Sequence, residues 1–210
     1  MSEADRTRGS VSGEQGRMAS ALVPAPRTRP PAGDALARVV QRVLGPGAHR
    51  VVALGDLLAG VVSGRVDAVR ACDDEFPRLA HERALQHALR TARQALRPGG
   101  MLVAAVPELG RLRRLRTAAP PPSVVRSGDD REVTVQVWDW AEDGESYGLE
   151  VIRLVRHQGS WEIGEVAATR HRVLSAEETG SRLADAGFRG VRRLTPTEAG
   201  HRVPVWIAGA

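Results

Sequence analysis

The segment "ALRPGGMLVAAV", residues 95–106, joins the end of a helical pattern to a continuous apolar run through a Pro-Gly-Gly turn. A continuous apolar run of this length is typical of a strand that is buried on both faces of a parallel sheet. Residues 81–96 repeat apolar side chains at helical spacing, and "VDAVRAC", residues 66–72, has the pattern of another strand. This order of strand, helix and strand predicts a doubly wound α/β sheet.

Upstream of these elements, Asp34 is placed to cap a helix that ends near Gly45, and "RVVALGD", residues 50–56, predicts a short strand. Residues 1–33 mix charged side chains with Gly, Ser and Pro. Such a segment buries too little apolar surface to offset the entropy lost on ordering. We therefore predict a disordered tail over residues 1–33 and one domain over residues 34–210.

The second half of the chain has a different pattern. "REVTVQVWDW", residues 131–140, alternates apolar and polar side chains, and an Asp-Gly turn separates it from "LEVIRLVRH", residues 149–157. These features predict an antiparallel insertion over about residues 131–170. "SAEE", residues 175–178, predicts a capping box at the start of a helix that closes at Gly187.

The composition limits the class of function. The chain has 210 residues, 42% of them hydrophobic, and no run that is long enough to cross a membrane. The N-terminus has no secretory pattern and Cys72 is the single cysteine, so we expect a cytoplasmic protein without a disulfide or a cysteine-based metal framework.

The pI of 10.9 suggests a protein that binds nucleic acid. However, the 30 basic residues are all arginines spread among 25 acids, and aromatic residues, which would stack on bases, make up only 3%. The composition therefore argues against a nucleic-acid binder.

The ordered set formed by "VDAVRACDD", "ALRPGGMLVAAV" and "LSAEETGSRLADAGFRGVRRL" resembles the C-terminal two-thirds of class I S-adenosylmethionine-dependent methyltransferases that act on small molecules. The resemblance covers about residues 34–210. It implies an incomplete Rossmann-like methyltransferase sheet with an antiparallel β insertion and a disordered N-terminal tail. It also implies S-adenosylmethionine as the cofactor and a small polar molecule, such as an amine, as the substrate.

The resemblance assigns residues to both sides of a site beyond the strand ends, where ligands of open α/β sheets bind. On the cofactor side it places Asp56, Ala71, Cys72 and Asp73, with Asp56 near the adenine. On the substrate side it places Asp74, Arg78, Arg170 and His171. Six of these residues also have an alternative reading: Asp56 as a turn cap, Asp73 and Asp74 as an exposed helix start, Cys72 as a core residue, and Arg170 and His171 as solvated strand residues.

The chain also departs from the family pattern. Asp74 replaces an asparagine and Arg78 replaces a histidine, and no segment before Asp34 has the strand and glycine-rich turn that hold the cofactor. Catalysis is therefore left open beside two alternatives, a non-catalytic remnant or interaction module and an arginine-rich nucleic-acid binder. Without the two central strands, we predict that residues 67–72 form an exposed apolar edge, which a homo-oligomer or a partner would cover.

Overall fold

The computed structural model describes residues 35–116, 118–119, 122–127 and 130–210. The predicted tail and the predicted cap at Asp34 lie outside these residues. The described elements, in chain order, are α1 (Ala35–Leu44), β1 (Val51–Ala53), α2 (Leu54–Leu58), β2 (Val66–Ala71), α3 (Glu75–His81), α4 (Leu85–Ala95), β3 (Leu96–Ala105), α5 (Gly110–Leu115), β4 (Ser123–Ser127), β5 (Asp130–Trp140), β6 (Ser146–His157), β7 (Ser160–Arg172), α6 (Ala176–Asp185), β8 (Arg189–Leu194), α7 (Pro196–Ala199) and β9 (Val205–Gly209). None of the described helices is long and apolar enough to span a membrane.

The first sheet has five strands in the order β1-β2-β3-β9-β8. β1, β2 and β3 are parallel, whereas β9 runs antiparallel to both β3 and β8. One face packs against buried residues of α2, α3, α4 and α6, such as Phe76, Leu89 and Leu183. The opposite face packs against α1 and α7 through Val39 and Ala199. The α/β sheet that the sequence predicts is thus confirmed.

The edge predicted at residues 67–72 is wrong. β1 pairs directly with β2 in parallel register, with Val51 opposite Ala68 and Ala53 opposite Arg70. The connection over residues 55–66 has barely the length of about a dozen residues that a parallel crossover needs, and its sequence shows no convincing helix, so the direct pairing was not expected. The five-residue helix α2 and the loop after it complete the crossover within that length. Among the described strands, β1 and β8 are consequently the edges of this sheet, and Val51 of β1 is 38% exposed.

The second sheet is the antiparallel insertion, with the strand order β4-β5-β6-β7. It extends over residues 123–172, a wider range than the predicted 131–170. The long pair β5-β6 runs from Arg131 opposite Arg156 to Trp140 opposite Tyr147. β7 contacts α3, so one face of this sheet lies against the carboxyl end of the parallel strands.

Two local predictions need correction. The helix predicted over residues 81–96 begins only at Leu85. Arg83 has a positive φ of 60°, which is incompatible with a continuous helix and separates α3 from α4. At α6, the Ser175 hydroxyl accepts the Glu178 N–H, but the Glu178 carboxylate pairs with arginines rather than returning to the cap. A reciprocal capping box is found instead at α7, where Thr195 and Glu198 bond each other's backbone N–H groups.

Candidate functional site

Three residues connect the end of β2 to α3, and together with the first residue of α3 they carry the acidic cluster. β2 ends at Ala71, which is fully buried. The turn after it consists of Cys72, Asp73 and Asp74, and α3 begins at Glu75. β1 ends beside it, and Leu54 and Gly55 begin α2 at the same edge of the sheet. The carboxyl ends of two adjacent parallel strands therefore meet here, as a site of this fold requires.

Glu75 bridges these two strand ends. Its Oε1 accepts the Gly55 N–H at 2.9 Å, and its Oε2 accepts the Cys72 N–H at 2.6 Å. Desolvation raises the pKa of Glu75, although the hydrogen bond from Cys72 opposes this shift. The sequence analysis missed Glu75 as a functional residue; the only signal was its place as the third acid of the cluster.

The acidic pair has two different environments. Asp73 accepts hydrogen bonds from Nε and Nη2 of Arg202, at 2.9 and 2.5 Å. Asp74 is half-buried, and desolvation together with the neighbouring Asp73 charge raises its pKa. Cys72 lies near these acids and is exposed, so the alternative reading of this residue as part of the core is wrong. Desolvation by surrounding protein, with the charges of Glu75 and Asp74, raises the pKa of the thiol to about 11.

His171 is the most unusual side chain of the site. It projects from β7, is 1% exposed, and neither Nδ1 nor Nε2 has a hydrogen-bond partner among the described residues. Desolvation, with the positive charges of Arg78 and His81, lowers its pKa to about 4. The imidazole is therefore neutral at pH 7, and one of its nitrogens is an acceptor without a donor.

An aromatic cluster lies beside His171 on the inner face of the antiparallel sheet. Tyr147 stacks on the imidazole with ring centroids 5.1 Å apart, and Trp138 and Trp140 lie 5.6 and 5.2 Å from the tyrosine ring. Burial and the charges of Asp73 and Asp74 raise the pKa of Tyr147, which places the acidic pair close to the cluster. The sequence analysis did not assign Tyr147 or the tryptophans to the site, although the alternation of "WDW" places both tryptophans on one strand face.

The structure brings together only part of the predicted substrate side. Arg78 lies on α3, pairs with Glu82 at 3.1 Å and is close enough to His171 to affect its pKa. Arg170 does not belong to this site, because it pairs with Gly148 on the opposite face of the sheet from its neighbour His171. Asp56 lies in the first turn of α2, next to the Gly55 N–H that Glu75 binds.

Comparison with known proteins gives solved structures only. No family model and no curated protein matches the chain. The sugar N-methyltransferase KedS8 from Streptoalloteichus sp ATCC 53650 superposes with a TM-score of 0.60 and 17% identity, over 98% of this chain and 99% of that one. The S-adenosylmethionine-bound CalS10, an amino pentose methyltransferase from Micromonospora echinaspora, gives a TM-score of 0.60 and 16% identity, over 84% and 90%. This chain has the class I methyltransferase fold.

A third solved structure is less similar to this chain in sequence and in fold. An S-adenosylmethionine-dependent methyltransferase from Clostridium acetobutylicum superposes with a TM-score of 0.53 and 9% identity, and the chain spans only 59% of its length. At these identities the comparisons establish the fold. The roles of individual residues must be argued from this chain's own geometry.

That geometry does not fit S-adenosylmethionine at the predicted cofactor residues. The backbone donors at the two strand ends are bonded to Glu75, Asp73 is bonded to Arg202, and the side chain of Ala71 is buried. β1 is the edge of its sheet among the described strands, so none of these strands lies beyond it to provide an acid for the ribose. In the same described part of the chain, no group of three or more His, Cys, Asp or Glu side chains could hold a metal ion.

Proposed function

We propose that this methyltransferase-like chain binds a small polar molecule through its amine, at the acceptor side of the fold. The observation that carries the proposal is His171, a buried imidazole that stacks on Tyr147 beside the acidic pair and has no hydrogen-bond partner in the part of the chain that the structure describes. A buried polar nitrogen that makes no hydrogen bond costs free energy. A ligand N–H that reaches His171 would recover this cost.

The aromatic rings and the acidic pair beside His171 favour a cation, whereas the positive charges of Arg78 and His81 oppose one. The faces of Tyr147, Trp138 and Trp140 attract an ammonium group through the negative potential of their rings. Asp73 and Asp74 add negative charge from α3's amino end. A neutral imidazole, two carboxylates and aromatic faces together match an amine that carries hydroxyl groups.

An amino sugar is the class of ligand that we propose. Two of the similar structures, KedS8 and CalS10, are described as a sugar N-methyltransferase and an amino pentose methyltransferase. Aromatic side chains also suit the apolar face of a sugar ring, while the acids suit its amine. We assign binding to this site and leave the catalytic residues unassigned.

The test is a calorimetric titration of the full chain with glucosamine, compared with glucose at the same concentration. We expect heat of binding with the amine only, and its loss in His171→Phe and in Asp74→Asn. Arg170→Gln, on the opposite face of the same strand, is the matched control and should bind as the wild type does. If folded wild-type protein gives no heat at millimolar glucosamine, or if glucose binds equally well, the proposal is refuted.

Methyl transfer from S-adenosylmethionine is the second candidate function, which the fold and the cofactor-bound CalS10 favour. Methyl transfer requires the cofactor to bind at the carboxyl ends of β1 and β2, where the Glu75 carboxylate accepts the backbone N–H groups of Gly55 and Cys72. Titration with S-adenosylmethionine therefore tests it separately from amine binding. Heat with the wild-type chain would support transfer. If circular dichroism shows a folded protein and millimolar cofactor gives no heat, transfer is excluded and the amine proposal still rests on its own titration.

A further inference from the structure

His171 and Tyr147, at the centre of the proposed amine site, are almost completely buried. Their exposed fractions are 1% and 6%. Protein interiors are close-packed, so a ligand of the size of a sugar cannot reach the imidazole while the surrounding elements keep their positions. An element that covers the aromatic cluster must therefore move before a ligand can enter.

Two helices lie over this part of the antiparallel sheet. α3 packs against β7, the strand that carries His171. On α5 and just before it, Leu112 and Leu109 pack in one apolar cluster with Tyr147 and the two tryptophans. Either helix could in principle uncover the site, and the way in which each one is held decides between them.

α3 is anchored in the core of the parallel sheet. Its residues Phe76, Leu79 and Ala80 are buried in the apolar cluster that packs against that sheet. Glu75, at its start, accepts the backbone N–H groups of two strand ends. Moving α3 would expose these apolar side chains to water and break both hydrogen bonds, so this helix is not the element that opens.

α5 is held much less firmly. It has six residues, a length at which a helix is unstable without tertiary contacts. Leu115, at its end, is 65% exposed, and Arg116 after it has a positive φ of 47°. None of the described side chains of α5 belongs to the core of the parallel sheet. The position of α5 therefore depends on Leu112 and on the contacts of its arginines.

These arginines connect α5 to the turn between β5 and β6. Nη2 of Arg113 donates to Oε1 of Glu145 at 2.5 Å and to the carbonyl oxygen of Asp143 at 3.2 Å. Nη2 of Arg116 donates to the carbonyl oxygen of Glu142 at 2.5 Å. The side chains of Arg113 and Glu145 are 39% and 50% exposed, so water and salt screen their attraction. Such contacts hold the helix in place, and breaking them costs little.

We propose that α5 is a lid over the amine site and that the contacts of Arg113 with Glu145 and Asp143 form its latch. The inference rests on the proposed function, because the lid admits the ligand that binds His171. Opening breaks the latch and separates Leu112 from the aromatic cluster, while the core of the parallel sheet stays intact. The latch forms again when the lid closes over the bound ligand. It therefore controls the rates of binding and release and changes the affinity little.

Stopped-flow fluorescence with glucosamine tests the lid, since Trp138 and Trp140 border the site. Arg113→Gln should raise the association and dissociation rate constants about fivefold each and leave the Kd nearly unchanged, because the lost ion pair is an exposed one. Arg114→Gln is the matched control on the same helix, since Arg114 is also exposed, and it should bind at the wild-type rates. If the wild type binds and Arg113→Gln changes neither rate constant, the lid is refuted and the proposed function stands.

A reversible cross-link should produce the opposite change. A Cβ atom on Gly144 would lie 3.1 Å from Cγ of Arg113. The Cβ atoms of these two positions are therefore close to the separation of about 3.5–4.5 Å that a disulfide requires. Oxidised Arg113→Cys/Gly144→Cys should bind glucosamine at least a hundredfold more slowly than the reduced form of the same protein, which carries the same backbone strain at position 144. Equal association rates in the two forms would overturn the inference.

Hydrogen exchange followed by mass spectrometry tests the lid without a ligand. The backbone amides of α5 should exchange faster than those of α3, and Arg113→Gln should accelerate exchange in α5 about fivefold while α3 is unchanged. If α5 of the wild type exchanges as slowly as α3, α5 is not the element that opens. A wild-type chain that does not bind glucosamine refutes the proposed function, and the lid is then decided by the exchange of α5 alone.

Discussion

His171 makes the stability of the fold depend on pH, and this dependence can be worked out from its environment. The unfolded chain binds a proton near the ordinary pKa of 6.5, while the buried imidazole stays neutral down to about pH 4. Stability is therefore fully present above pH 6.5 and is lost as the pH falls toward 4. Over the interval from pH 7 to pH 5, this group alone should cost about 2 kcal/mol of unfolding free energy.

The measurement is urea unfolding of the wild type and of His171→Phe at several pH values in this interval. Phenylalanine preserves an aromatic ring on Tyr147 but does not titrate. Asp74 and Glu75 have raised pKa values and contribute stability below their ordinary pKa values that is lost as the pH rises. Both acids are present in both proteins, so their effect cancels in the difference.

We expect the difference in unfolding free energy between the two proteins to change by about 2 kcal/mol from pH 7 to pH 5. A constant offset would only report the packing of the new ring. If the two free energies fall in parallel, His171 titrates normally in the folded state. The imidazole would then be solvated, and the reasoning that assigns it to a ligand would fail.

The remaining predictions concern other residues of the chain. Glu75→Ala should destabilise the fold by about 2–4 kcal/mol in urea unfolding, because it leaves the N–H groups of Gly55 and Cys72 without their acceptor; an unchanged midpoint would show that solvent replaces the carboxylate. Trp138→Ala should cost about 3 kcal/mol through lost packing on Tyr147, and an unaltered thermal midpoint would contradict its burial. The Cys72 thiol should react with iodoacetamide at pH 8 about tenfold more slowly than in the urea-unfolded chain, because its thiolate fraction falls more than the nucleophilicity of the thiolate rises, and equal rates would contradict the raised pKa. Thr195→Ala should cost about 1 kcal/mol by removing the cap of α7, with Thr197→Ala as the uncapped control; equal losses would mean that the cap contributes nothing.

Much of the fold could be predicted because its signals are local. The apolar run at 101–106 and the helical spacing before it depend on neighbours in the sequence, and both elements form. The helix begins later than predicted, at Leu85, and the strand begins earlier, at Leu96, so the Pro-Gly-Gly segment lies within β3. The alternation of residues 131–140 likewise determined a strand and placed Trp138 and Trp140 on a common face. Short-range periodicity indicates which side of a helix or strand is buried, and it does so without knowledge of the element that packs against that side.

The site required the tertiary structure. The sequence assigned Arg170 and His171 together, but adjacent residues of a strand point to opposite faces, and only the docking of α3 on β7 selects His171. Glu75 became significant when two strands that are distant in sequence placed Gly55 and Cys72 within reach of one carboxylate.

The sequence by itself determined α1, α4, α6 and the strands β1, β2, β3, β5 and β6, together with the acidic turn after β2, since each depends on a pattern within a few residues. It did not determine which strands become neighbours. The pairing of β1 with β2 covers the edge that the sequence predicted to be exposed. The register of β4 to β7 brings Arg126 and Trp161 into one row across the antiparallel sheet. Both depend on contacts between segments that are far apart in the chain, whose free energy no local pattern contains.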